Sequence, residues 1–129
     1  MATGFPALTG DVLTAAAFNG LIAFTVNADA TADYTAVLDD QYQVLVPMNK
    51  ATAVDFKIPT NDSEAFPVGT VITVLNKGVG DVTISATTSA TTTVLSAGAV
   101  AASPVLSQYG SAACIQTAVD IWYVVGSVA

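Results

Sequence analysis

The chain has no histidine and no arginine, and it has a single cysteine, Cys114. Acid–base and nucleophilic chemistry near neutral pH leans on His, on tuned carboxylates or on a desolvated Lys. What remains here is three lysines, Lys50, Lys57 and Lys77, and ten acidic residues. One thiol cannot close an intrachain disulfide, so the fold is indifferent to the redox compartment. In its apolar run Cys114 reads as a small buried hydrophobe. The lysines are scattered over a chain of net charge -7 and form no basic patch. Phosphate binding depends on clustered cations, so nucleic acid is not an expected partner.

Long apolar runs are missing too. A membrane span needs about 18 or more uninterrupted apolar residues, and the longest candidate, Val12 to Val26, is broken at Asn19-Gly20. No membrane partner is expected. The start, MATGFPALTGDV, lacks the positively charged region and continuous apolar stretch of a secretory signal. Charge itself is scarce: 10% of residues, against about 25% in ordinary globular chains. Apolar residues reach 53%. The surface is therefore a neutral one of Thr, Ser, Ala, Asn and Gln, or it is hidden in an assembly; composition leaves both readings open.

What is present divides into two textures. Residues 1–33 are small, Ala- and Thr-rich and free of Lys, and read as an N-terminal arm or hairpin. Asn19-Gly20 is a two-residue hairpin signal, while Asp11 offers the alternative of capping a short helix ending at Asn19. Residues 34–129 alternate apolar with polar positions between frequent turn signals, the pattern of an all-β domain. Val54, Phe56 and Ile58 point one way, Asp55 and Lys57 the other; Val82 and Ile84 repeat this against Thr83 and Ser85. Val71 to Leu75 and Ile121 to Val125 are apolar on both faces, as in central strands covered by two layers. Asp39-Asp40 is expected to turn between strands Tyr34 to Leu38 and Tyr42 to Val46, and Asn49-Lys50 before Thr52 to Ile58. Asn76-Lys77-Gly78 with Gly80-Asp81 is expected to close a hairpin onto Val82 to Ala86. Short strands at this spacing predict an antiparallel β-sandwich or a jelly-roll-like domain. Ser85 to Thr93 reads as a polar edge strand or loop, and Ala97 to Pro104 as a connection.

The motifs that carry chemistry are absent: no phosphate-binding loop, dinucleotide fingerprint, CxxC pair or HExxH occurs. Asp39 and Asp40 are adjacent, so in a turn both are expected to be solvated rather than paired for catalysis. Asn61, Asp62 and Glu64 share a loop but not the spacing of a calcium-binding hand. A serine nucleophile needs a base, and only the three lysines are on offer. No catalytic residue, metal or cofactor is expected. Trp122 and Tyr123 alternate on the last strand, which predicts core on one face and interface on the other.

Three stretches carry a resemblance: YTAVLDD from Tyr34 to Asp40, IPTNDSEAFPVGTVITVLNKGVGDVTI from Ile58 to Ile84, and SQYGSAACIQTAVDIWYVVG from Ser107 to Gly126. Together they resemble a segment of tailed-bacteriophage virion proteins, found in tail fibres, head fibres and small capsid decoration (cement) proteins. In that pattern a polar loop precedes FPVGT, a G-x-G-x-V-T element follows, and the last strand ends in W-x-x-x-G. The matching positions are Phe66, Pro67, Gly69, Gly78, Gly80, Val82, Thr83, Trp122 and Gly126. FPALTGDV, from Phe5 to Val12, looks like the start of phage fibre proteins. The Ala- and Thr-rich stretch Thr87 to Val105 departs from the pattern. Pro67 stiffens the approach to a strand, Gly69 permits close packing, and Trp122 is a large anchor. The resemblance implies a β-sandwich module of trimeric virion parts; a complete fibre needs attachment, shaft and tip regions, so at 129 residues a homotrimeric capsid decoration (cement) protein on the outer surface of the capsid is the expectation. Its partners would be itself and the major capsid protein, met by the apolar arm residues Phe5, Leu8, Val12, Leu13, Phe18, Leu21 and Phe24. A tail-fibre or receptor-binding module, a carbohydrate-binding module and a baseplate component are the alternatives.

Overall fold

A computed structural model describes residues 25–96 and 104–128. Within them run β1 (Tyr34–Thr35), β2 (Val46–Met48), β3 (Val54–Ile58), β4 (Val71–Asn76), β5 (Val82–Ala86), β6 (Thr93–Ser96), β7 (Val105–Leu106), β8 (Ser111–Ala118) and β9 (Ile121–Gly126), with a 3-10 helix at Leu38–Tyr42. The protein is all-β, in two sheets ordered β1-β3-β5-β7 and β2-β4-β8-β9-β6. Both sheets are mixed. β1–β3, β3–β5, β2–β4 and β6–β9 pair in parallel, whereas β5–β7, β4–β8 and β8–β9 are antiparallel. The purely antiparallel arrangement read from the sequence is thereby corrected.

The reason lies in the connections. Parallel neighbours need a crossover, and for the pairs β1–β3, β2–β4 and β3–β5 the crossover contains a strand of the opposite sheet: the chain passes from β1 to β2 to β3 to β4 to β5, changing sheet every time. The expected hairpin between β4 and β5 does not form, because the segment after Asn76 climbs from one sheet to the other. It stacks on the corner before β3: Lys77 N donates to Met48 O (2.7 Å), Gly80 N to Lys50 O (3.0 Å) and Val54 N to Asp81 O (3.0 Å). Buried Asn76 holds the corner from inside, donating to the carbonyls of Gly80 (2.9 Å) and Leu106 (3.0 Å) and accepting from Gly78 N (3.0 Å). A Cβ at Gly78 would run into the Lys50 backbone, and one at Gly80 into the Thr52 carbonyl. The β8–β9 hairpin then separates β4 from β6 and completes the five-stranded sheet.

The core is where the two-residue period places it. Val54, Phe56 and Ile58 on β3 and Val82 and Ile84 on β5 face Ile72 and Val74 on β4 and Trp122 and Val124 on β9 in one continuous apolar cluster. Cys114 lies inside it, fully buried, and burial pushes its thiol up to about 12.

The first strands are shorter than the alternation suggests. β1 stops at Thr35, and the chain turns through Leu38–Tyr42, where strands had been expected up to Leu38 and from Tyr42. Asp40 is the cause. Instead of being solvated it is buried, accepting from Val37 N (2.9 Å), from Tyr34 Oη (2.9 and 2.8 Å) and from Asn27 Nδ2 (2.7 Å). A carboxylate that bonds backbone three residues before it offers the chain an alternative to the ladder. Ahead of β1, Thr25 and Ala30 bridge in parallel to Gln43 and Met48, so residues 25–30 run along the β2 edge. The arm residues Phe5, Leu8, Val12, Leu13, Phe18, Leu21 and Phe24, the Asn19-Gly20 turn and residues 97–103 lie outside the described residues.

Candidate functional site

The feature that distinguishes this fold is a surface. None of the strands β2, β4, β8, β9 and β6 contains a charged residue. Their inward positions fill the core; β2 is buried throughout, and the outward positions of the other four make one broad neutral face. β4 contributes Val71, Thr73 and Leu75; β8 contributes Ala113, Ile115 and Thr117; β9 contributes Ile121, Tyr123 and Val125; β6 contributes Thr93 and Leu95. Register aligns them into rows. Val71 lies beside Ile115, Ile115 beside Tyr123 and Tyr123 beside Leu95; next to that row run Thr73, Ala113 and Val125. Four large members are open to solvent: Val71 (46%), Ile121 (37%), Tyr123 (43%) and Val125 (51%). The expectation that β4 and β9 are covered on both faces is corrected within the chain: Val71, Ile121, Tyr123 and Val125 are exposed, while Thr73 and Leu75 are half-buried. The other sheet carries Asp55, Lys57, Thr83 and Ser85 outward, the ordinary polar alternation.

The residues singled out by the sequence pattern fall into two groups at opposite ends of β4. At its start, Phe66 packs edge-on against Trp122, with ring centroids 5.5 Å apart at 89°. The loop is clipped to β8 by Gln116, whose side-chain amide donates to the carbonyls of Phe66 (2.9 Å) and Pro67 (3.1 Å). Its backbone carbonyl accepts from Gly69 N (2.8 Å). Gly69 is not pressed against anything, contrary to the close-packing expectation; it is required by its φ of +97°. At the far end Gly78 and Gly80 form the corner described above, and Gly126 lies against Ser111 and Ala112 with φ of +140°. These residues hold loops to sheets.

The polar candidates are likewise engaged in holding the fold. Asp39 and Asp40 diverge, the first exposed and the second buried in its cap. Glu64 Oε1 accepts from Leu38 N (3.1 Å), and Asn61 N donates to Asp120 Oδ1 (2.8 Å). Asp120 Oδ1 also accepts from Thr92 Oγ1 (3.0 Å), so one carboxylate ties two loops to the β8–β9 turn. Lys77 pairs with Asp29 at 2.8 Å, and that hydrogen bond, with a second from Asn49, lowers the Asp29 carboxyl below its ordinary value. Among the described residues no group of three or more His, Cys, Asp or Glu is placed to hold a metal ion. Sequence reasoning missed Asp40, Asn76, Gln116 and Asp120 as structural locks. Only Asn76 had a readable signal, since Asn two residues before Gly is a side-chain-closed turn. It also missed that Val71, Ile115 and Val125 share an open face with Tyr123.

Comparison of the chain with protein-family models, with curated proteins and with solved structures finds no match.

Proposed function

We propose that the chain is a non-enzymatic structural protein of a bacteriophage virion, a capsid decoration (cement) protein. In this reading it binds the outer surface of the assembled head as a homotrimer, through the major capsid protein, and stabilises the shell. The observation that carries the reading is the neutral, half-apolar face of the five-stranded sheet on an otherwise acidic chain. Such a face serves contact, and the polar side chains around it serve the fold. Two sheets over one core suit the sandwich or jelly-roll type of virion module, and the resemblance motif supplies the virion assignment. Phe66, Pro67, Gly69 and Trp122 build one end of that module, and Gly78, Gly80 and Gly126 the other.

The work done is thermodynamic. A protein that binds the closed shell but not its separated parts shifts the equilibrium toward the shell by mass action. Three linked copies raise the effective concentration of each shell contact, so individually weak contacts suffice. The test is to mix the purified protein with undecorated heads of the phage that encodes it, then sediment and image them. Saturable binding and a higher temperature of head rupture are the expected results. Absence of binding to heads, together with retention on tails or on host polysaccharide, would replace this reading with the tail-fibre or receptor-binding one.

A further inference from the structure

We infer that the open face of the five-stranded sheet is where copies of this chain meet one another, with Tyr123 at the centre of the contact. This deepens the proposed function and rests on its reading of the chain as a self-associating part. Two observations select a second copy as the occupant. Every copy carries a net charge of -7, so two copies repel wherever their carboxylates approach. Among the described residues the acidic groups lie on the loops, on the 3-10 helix and on β3, while none lies on the strands of the open face. The face is thus the broad surface that two identical acidic molecules bring together with no like charges opposed. A basic partner would instead be drawn to the loops.

The second observation is the pattern on the face itself. Apolar Val71, Ile115, Tyr123 and Val125 alternate with hydroxyls at Thr73, Thr93 and Thr117. An interface with an apolar centre, an aromatic anchor and a polar neutral margin has this composition. Extent sets the strength of the contact: β4, β8, β9 and β6, at about 3.3 Å per residue and about 4.8 Å between strands, cover roughly 400 Å², below the roughly 800 Å² per partner of a standard stable interface. Association is accordingly reversible and concentration-dependent, and a shell that presents copies side by side completes it.

The experiment uses the full chain in solution without heads. Sedimentation velocity over a wide concentration range is expected to show mass rising from monomer toward an oligomer. Tyr123→Lys brings the net charge one unit nearer zero, which by itself favours association, yet it places an unpaired ammonium in the contact. It is expected to weaken association at least about tenfold. Ser85→Lys on the opposite sheet makes the same change of charge and is expected not to weaken association, and circular dichroism checks the fold of both. As a second readout, Val125→Cys should form intermolecular disulfides under oxidised glutathione far faster than Ser85→Cys, native Cys114 being buried. Wild-type protein that stays monomeric throughout, or association that Tyr123→Lys does not weaken, overturns the inference. A self-associating protein that ignores heads leaves this contact standing and removes the cement reading; a monomer that decorates heads does the reverse.

Discussion

Asp40 shows how much one side chain decides in this molecule. Its carboxylate satisfies the amide of Val37, the hydroxyl of Tyr34 and the amide of Asn27 at once, tying the segment beside β2, the end of β1 and the 3-10 helix together. Asp40→Ala leaves those donors without their acceptor and is expected to cost roughly 2–4 kcal/mol in urea unfolding; Tyr34→Phe, which keeps the stack on Phe56, is expected to cost about 1 kcal/mol. Two protons are held more tightly in the fold than out of it. Burial raises Cys114 from 9.0 to about 12, and burial followed by the hydrogen bond to Asp40 raises Tyr34 above its ordinary 10.0. For groups whose folded value is raised, the stabilisation is complete below the unfolded value and is lost as pH climbs toward the folded one. Thermal midpoints should therefore be insensitive to these two groups up to about pH 9 and fall above it. Below that range, native Cys114 should resist thiol reagents that label it at once in denaturant.

Among the elements, the corner after β4 and the turn after β8 set the topology. Gly78→Ala or Gly80→Ala forces a Cβ into the backbone of the preceding corner, and Asn76→Ala strands two buried carbonyls and one amide. Each is expected to destabilise by roughly 2–4 kcal/mol, read as a lower denaturant midpoint with an unchanged slope. The Val119-Asp120 turn behaves differently. Asp120 adopts φ of 58° and holds Asn61 and Thr92 through the same oxygen. Asp120→Asn retains that acceptor and tolerates the left-handed conformation, so it should cost under about 1 kcal/mol, whereas Asp120→Ala should cost roughly 2–3. Trp122→Ala removes the largest core side chain and its edge contact with Phe66, with an expected loss of about 3–5 kcal/mol.

On the scale of the whole molecule, one sheet presents charge and the other presents none. Salt screens repulsion between acidic copies and strengthens apolar contact. Self-association should accordingly tighten as sodium sulfate is added, and a weakening with salt would point to an ion-paired contact instead. For head binding, deleting residues 1 to 20 is expected to abolish decoration while leaving the β-rich circular dichroism intact, because the bridges of Thr25 and Ala30 to the β2 edge are retained. Full head occupancy by the shortened chain would show that the arm residues are not the shell contacts.

Periodicity was enough to reveal the all-β character, the inward sets Val54-Phe56-Ile58 and Val82-Ile84, and the burial of Trp122 and Cys114. Those properties are local: they follow from which residues alternate and which tolerate a turn. Tertiary structure alone decided that β4 and β5 belong to different sheets, since a turn-forming sequence does not say where its second strand finds partners. It also decided that Asp40 is buried. The same holds for the apolar outer residues of β4 and β9: their open face depends on which layers pack against a sheet, and that is a property of the assembled fold.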